Sequence, residues 1–272
     1  MDFPRQAFEV IVVDDGSPDP PSDVIDAYAS ELQIRLVVVP QNGGPAQARN
    51  VGAWHATGAH LVLLDDDCIP QRDWLRSLDR RRQEFPGALV GGVLTNGVPH
   101  SLCAEASQQL GDFLYRYYNA DVDQAGWFMS ANIACPRNDF LAIDGFDASF
   151  PLAAAEDRDF CDRWREAGHQ LVLAPNAVVR HMRSMNLAQF WRQHATYGRG
   201  ARHLHIARTK RAVTAPRREP FAFYLRLLCA PLAKPLQMRT PVLMMLMLVS
   251  QLAYASGFYA ERRRVPDAPL PQ

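Results

Sequence analysis

Asp65, Asp66 and Asp67 stand together at the end of the apolar run Leu61-Val62-Leu63-Leu64. Carboxylates this close repel and raise one another's pKa unless a cation or hydrogen-bond donors offset them. Hard divalent ions such as Mg²⁺ take oxygen ligands, commonly one or two carboxylates together with substrate phosphates. The triplet therefore points to a metal–diphosphate site. Asp14-Asp15 closes a β-branched run at 8–13, and Asp15 can accept from a base N–H or a ribose hydroxyl. Arg49, shortly after Gly43-Gly44, offers a planar fork suited to a diphosphate or a base carbonyl. Glu156-Asp157 is a further acid pair. Blander uses exist for each: Asp15 as a turn acid, Arg49 as a surface helix arginine, Glu156 and Asp159 as acids complementing a helix N-terminus.

The elements that must position these groups alternate. Residues 8–13, 34–39 and 60–64 read as strands, each ending near a polar cluster. Ser22 is placed to cap a helix over 23–32, Gly43-Gly44-Pro45 opens another running to about residue 57, and 73–84 reads as a third. An apolar, Gly-containing stretch follows at 88–98. Such alternation predicts an α/β fold with a mostly parallel sheet flanked by helices, and ligands bind such sheets beyond the carboxyl ends of the strands. Further on, 102–118 has helical spacing, 127–135 suits a short strand, and 137–143 a helix closed by Gly145. Residues 156–167 form a helix ended by Gly168, with Phe160, Cys161 and Trp164 on one face and Asp157 a turn ahead. Two more strands are expected at 170–173 and 177–180.

Of the 272 residues 48% are hydrophobic and 21% charged, enough for a real core. The zero net charge hides a split: residues 1–177 carry 13 bases against 26 acids, and 178–272 carry 16 bases against 3 acids. That asymmetry predicts an acidic catalytic half and a basic half facing an anionic partner. The five scattered cysteines, never spaced C-x-x-C, fit neither a disulfide framework nor a zinc site. The first ten residues lack the apolar core of a signal peptide.

Five segments occur in order: FEVIVVDDGS at 8–17, NGGPAQARNVG at 42–52, LLDDDCIP at 63–70, GFD at 145–147 and EDRDF at 156–160. Together the chain resembles the family 2 glycosyltransferases over about residues 8–182. The resemblance implies a GT-A, Rossmann-like fold at 1–182 and transfer of a sugar from a nucleotide-diphosphate donor to a glycan, lipid-linked or small-molecule acceptor. It implies nucleotide recognition at Asp15, with Arg49, Asp65, Asp66 and Glu156 also on the donor side, and Mn²⁺ or Mg²⁺ on Asp67 and Asp65. Asp66 stands at a variable position. His181 matches a place where some members supply a third metal ligand, and Asn132 lies in a stretch that contacts sugar. Asp157 is the expected base, since inverting transfer needs a carboxylate beside the acceptor hydroxyl.

Two departures stand out. The family's opening strand and helix are missing ahead of 8–15; a misassigned or truncated start is the favoured reading, and the alternative is a real loss that exposes a strand edge and apolar surface. The Q-x-x-R-W of processive members is replaced by FWRQHATYGRG at 190–200, which argues for adding one or a few sugars. Residues 183–272 are read as a basic and apolar helical extension: a helix at 186–206, a basic linker at 209–220, an apolar stretch at 221–236, and 19 uncharged residues at 242–260 before Arg262-Arg263-Arg264. Peripheral, monotopic or hairpin attachment to the cytoplasmic membrane face is expected, with Arg192, Arg199, Arg202 and Arg208 toward lipid phosphates. A buried hairpin or a homodimer interface is the alternative, and no nucleic-acid motif is visible. Competing functions are a sugar-phosphate nucleotidyltransferase and a non-catalytic membrane-associated relic.

Overall fold

The computed structural model describes residues 1–151, 153–211, 219–233 and 237–265. They fall into two compact units, one made of 1–94 and 121–179, the other of 95–120 and 180–272. The linear division at 182 thus differs from the compact one, in which 95–120 joins the tail.

In the first unit β1 (Val10–Asp14) pairs in parallel with β2 (Ile34–Val38), with α1 (Ser22–Tyr28) between them in sequence. A five-stranded sheet holds β3 (His60–Leu64), β4 (Cys68–Pro70), β5 (Leu89–Asn96), β6 (Asn132–Pro136) and β7 (Leu171–His181) in the order β3-β6-β5-β7-β4. Helices α2 (Gly44–His55), α3 (Trp74–Glu84), α5 (Arg137–Ala142) and α6 (Glu156–Glu166) complete the unit. The α/β class matches expectation. Strand direction differs in part, because β6 runs antiparallel to both β3 and β5. An apolar run buried on both faces reads alike in either direction, so sequence could not reveal this. Trp74, Leu78, Val90, Val172 and Val179 anchor a core cluster within this unit.

Local boundaries moved for identifiable reasons. Ser22 does not cap α1; it lies inside the helix, entered through Pro21 with no side-chain cap, and the helix stops at Tyr28. The two strands expected at 170–180 are one, β7, because Pro175 and Asn176 face solvent where a missing N–H is tolerated. Of the stretch at 127–135 only 132–135 joins the sheet, in a strand that runs on to Pro136.

The second unit is helical. Ser101 caps α4 (Leu102–Tyr118) by accepting from the Ala104 N–H at 3.2 Å, and an Asn186–Gln189 capping box opens α7 (Leu187–Lys210). α8 (Phe221–Leu228) and α9 (Thr240–Arg264) follow. Phe190 packs with Leu243 and Leu246, and Phe223 and Leu227 with Met247. Helices α7 and α9 approach so closely that a Cβ on Gly198 would lie 1.9 Å from the Tyr254 carbonyl oxygen, and one on Gly257 1.9 Å from that of Ala195. Only glycine permits such contact. The arginine stripe expected on α7 is corrected at two of its four positions. Arg202 is 1% exposed and donates to the Val265 carbonyl at 2.8 Å, while Arg199 pairs with Glu261 at 2.7 Å. Parts of the expected linker and apolar stretch, 212–218 and 234–236, lie outside the described residues.

Candidate active site

Strand β3 ends in a tight turn over the acid triplet, closed by the Cys68 N–H donating to the Asp65 carbonyl at 3.1 Å. Asp65 and Asp67 are half-buried and Asp66 is exposed. Behind them Cys68 is buried, and burial, then Asp65 and Asp67, push its thiol up to about 12. It therefore remains a thiol, which donates to Asp67 Oδ1 at 3.9 Å. The donors offered by the turn are carboxylate oxygens, a set that fits Mg²⁺ or Mn²⁺ rather than a soft metal.

At the start of α2 the Gly43 and Gly44 N–H groups donate to Asp15 Oδ1 and Oδ2, at 2.9 and 2.7 Å. Asp15 thus satisfies two orphan donors of the helix. Each oxygen keeps a second lone pair for a further donor. Asp14, the preceding acid, is buried and accepts from the Ser17 N–H.

About one turn into α2, Arg49 spans two carboxylates. Its Nη2 lies 2.8 Å from Asp65 Oδ1 and its Nη1 3.3 Å from Glu156 Oε1. Burial pulls the guanidinium pKa down, but Asp65, Glu156 and Asp157 outweigh it and the net shift is upward. Its Cζ lies 5.5 Å from the Phe146 ring centroid.

Helix α6 begins after Ala155, a non-glycine residue at φ 71°. Glu156 is 5% exposed, and its Oε2 has no hydrogen-bond partner. Burial, then the neighbouring Asp157 charge, lifts its carboxyl to about 7 against the pull of Arg49. Asp157 is half-buried and accepts from the Arg158 N–H at 2.8 Å. Burial also raises its pKa, with Arg158 and Arg49 acting the other way. A carboxylate tuned upward is a stronger proton acceptor. Asp159 is fully buried and paired with Arg163 at 2.8 Å, a structural acid of the first turn.

Asn132 requires a correction. It is 0% exposed, accepts from Trp74 Nε1 at 2.8 Å, and donates to the Val93 and Ala177 carbonyls at 3.1 and 2.9 Å. Its amide is spent inside the core, so it is not a sugar contact. His181 ends β7 and belongs to the second unit.

Sequence reasoning missed Asn50. Its Nδ2 donates to the Phe146 carbonyl at 2.7 Å and its Oδ1 accepts from the Phe146 N–H at 2.8 Å. Phe146 in turn stacks on Phe160 of α6, centroids 4.4 Å apart. Asn50 thus ties α2 to the loop before α6 and fixes where Arg49 meets Glu156. The adjacent Arg49-Asn50 and Gly145-Phe146 were visible, but nothing linked two segments 96 positions apart.

Residues 2–124 match the model of the family described as Glycosyl transferase family 2. The chain is 30% identical over 212 residues to the pre-mycofactocin glycosyltransferase of Mycobacterium tuberculosis, covering 74% of this chain and 43% of that protein. It thus spans less than half the length of that relative. Among solved structures, the mannosyltransferase PcManGT of Pyrobaculum calidifontis superposes with a TM-score of 0.62 at 21% identity, covering 94% of this chain and 68% of the other. Staphylococcus aureus TarS 1–349 does so with 0.53 at 17% identity, covering 97% and 85%. The fold is that of GT-A glycosyltransferases.

Proposed function

We propose that this chain, whose residues 2–124 match the family described as Glycosyl transferase family 2, is a metal-dependent, inverting transferase. It moves a sugar from a nucleotide-diphosphate donor to a glycan, lipid-linked or small-molecule acceptor. The observation that carries this reading is Arg49, which joins Asp65 of the acid turn to Glu156 beside Asp157. One guanidinium gathers three separate sequence motifs into one place. The mannosyltransferase solved with GDP-Man and Mn²⁺ supports a nucleotide-diphosphate donor and a divalent ion.

In this reading Asp157 takes the proton of the acceptor hydroxyl as its oxygen bonds to the sugar C1. The C1–O bond to the diphosphate breaks with its electron pair leaving on the phosphate. Arg49 exchanges one carboxylate partner for a diphosphate oxygen, a bidentate geometry that guanidinium favours. Asp15 receives a donor group of the nucleoside while holding the N-terminus of α2. Asp65 and Asp67 would hold an ion that stabilises charge on the departing diphosphate. Exposed Asp66 has no assigned contact and serves the negative field of the turn.

Release of nucleoside diphosphate from a panel of nucleotide sugars, with and without Mn²⁺, tests the reading. Asp157→Asn is expected to lower turnover by about a hundredfold or more, and Asp67→Ala to abolish its dependence on Mn²⁺. Unchanged transfer in either variant would remove these assignments. Pyrophosphate formed from a nucleoside triphosphate and a sugar phosphate would indicate a nucleotidyltransferase instead.

A further inference from the structure

We propose that the outward face of α9 is a docking surface for an anionic lipid bilayer, with the helix lying in the plane of the interface. The claim stands on the second unit alone and does not depend on the catalytic reading.

Helix α9 has two unlike faces. Leu243, Leu246, Ser250, Ala253, Gly257 and Glu261, three or four residues apart, are buried in the unit. Val242, Met245, Leu248, Leu252 and Tyr259 recur at the same spacing on the other side, between 37% and 60% exposed. Five large apolar groups in one stripe exceed the scattered exposure normal for a surface. Helix α8 adds Phe221, 75% exposed, and Leu225, 49% exposed.

Charge selects the occupant. Arg239 precedes the helix and Arg262, Arg263 and Arg264 end it, all exposed. Arg263 continues the apolar stripe four residues beyond Tyr259. The one acid of α9, Glu261, is buried and held by Arg199 and His203 at 2.7 and 3.1 Å. The outward face therefore combines an apolar body with cationic ends and no carboxylate, the pattern of an in-plane interfacial helix. Pairing two copies along this face would set arginine against arginine whether the helices ran parallel or antiparallel. Spanning the bilayer would strip α9 from α7, losing the glycine contacts and leaving Glu261 in hydrocarbon.

The test uses the full chain with vesicles of phosphatidylcholine, alone or mixed with phosphatidylglycerol. Sedimentation with the mixed vesicles, weakened by salt, is expected, with little binding to phosphatidylcholine alone. Arg262→Ser/Arg263→Ser/Arg264→Ser should weaken binding by about a hundredfold, since each base near an anionic surface contributes roughly a fivefold factor. Leu248→Ser/Leu252→Ser should weaken it by roughly tenfold or more. All five positions are exposed, so the helical circular dichroism of both variants should match the parent. No binding to anionic vesicles, or binding insensitive to both variants, overturns the proposal. A solution dimer broken by Leu252→Glu would assign the face to a second copy, and resistance to carbonate extraction would replace the in-plane helix with a span.

Discussion

Arg49 of α2 and Glu156 at the head of α6 meet at 3.3 Å across 107 positions of sequence. The contact sets the state of the acid pair. Glu156 is buried enough to hold its proton near neutral pH, and Arg49 is the group that resists this. Asp157, one residue on, is tuned by the same guanidinium. The two acids therefore titrate as a pair.

Replacing Glu156 with Gln removes one charge from that pair and leaves Asp157 with more of Arg49. The acid limb of the pH–rate profile for transfer should then move to lower pH. Stability should respond with the opposite dependence on alkali. A carboxyl raised to about 7 when folded stabilises fully below its ordinary value of 4.5, and that contribution is lost as pH rises through 7. Urea titrations at pH 5 and pH 8 should show Glu156→Gln gaining relative to the parent at the higher pH.

Arg49→Met leaves Glu156 buried without its cation. Removing one partner of a buried pair typically costs about 3 kcal/mol or more, and replacing both costs far less. Arg49→Met should therefore lower the urea midpoint strongly, and Arg49→Met/Glu156→Gln should recover most of it. Donor turnover should stay low in both, because the diphosphate contact is absent from each.

Asn132→Ala should destabilise the first unit by about 2–4 kcal/mol, since it strands the Trp74 indole N–H and two carbonyls in the core. The folded fraction should keep the parent KM for the donor. A raised KM with an unchanged melting temperature would return Asn132 to the sugar site.

His194 of α7 is 2% exposed, and burial depresses its pKa to about 4. The unfolded chain takes up the proton first, near the ordinary 6.5. The stability of the second unit should be full above that value and fall by about 3 kcal/mol as pH drops to 4. His194→Leu should flatten this slope, read from thermal melts between pH 4 and 7.

Much of the molecule was legible in the residues. Strand 60–64, helix 102–118 and the start of α6 were found at or near their observed bounds because burial of one face imposes a period on the chain. The acid turn was legible because three adjacent carboxylates have few other uses. The directions of β3, β5 and β6 were not, since the same apolar run serves either direction. Asn132 was misread because its hydrogen bonds go to Trp74, Val93 and Ala177, residues that share no local pattern with it.

The sequence by itself carried the family resemblance, most of the elements and the acids that could bind an ion or take a proton. Tertiary structure decided which of them meet: Arg49 with Glu156, Asn50 with Phe146, and Gly198 with Tyr254. It also took Arg199 and Arg202 out of the lipid-facing stripe expected on α7. Periodicity and residue type record what a side chain must do, namely bury or carry charge. Its partner is set by chain closure over many positions and by packing, which no local pattern carries.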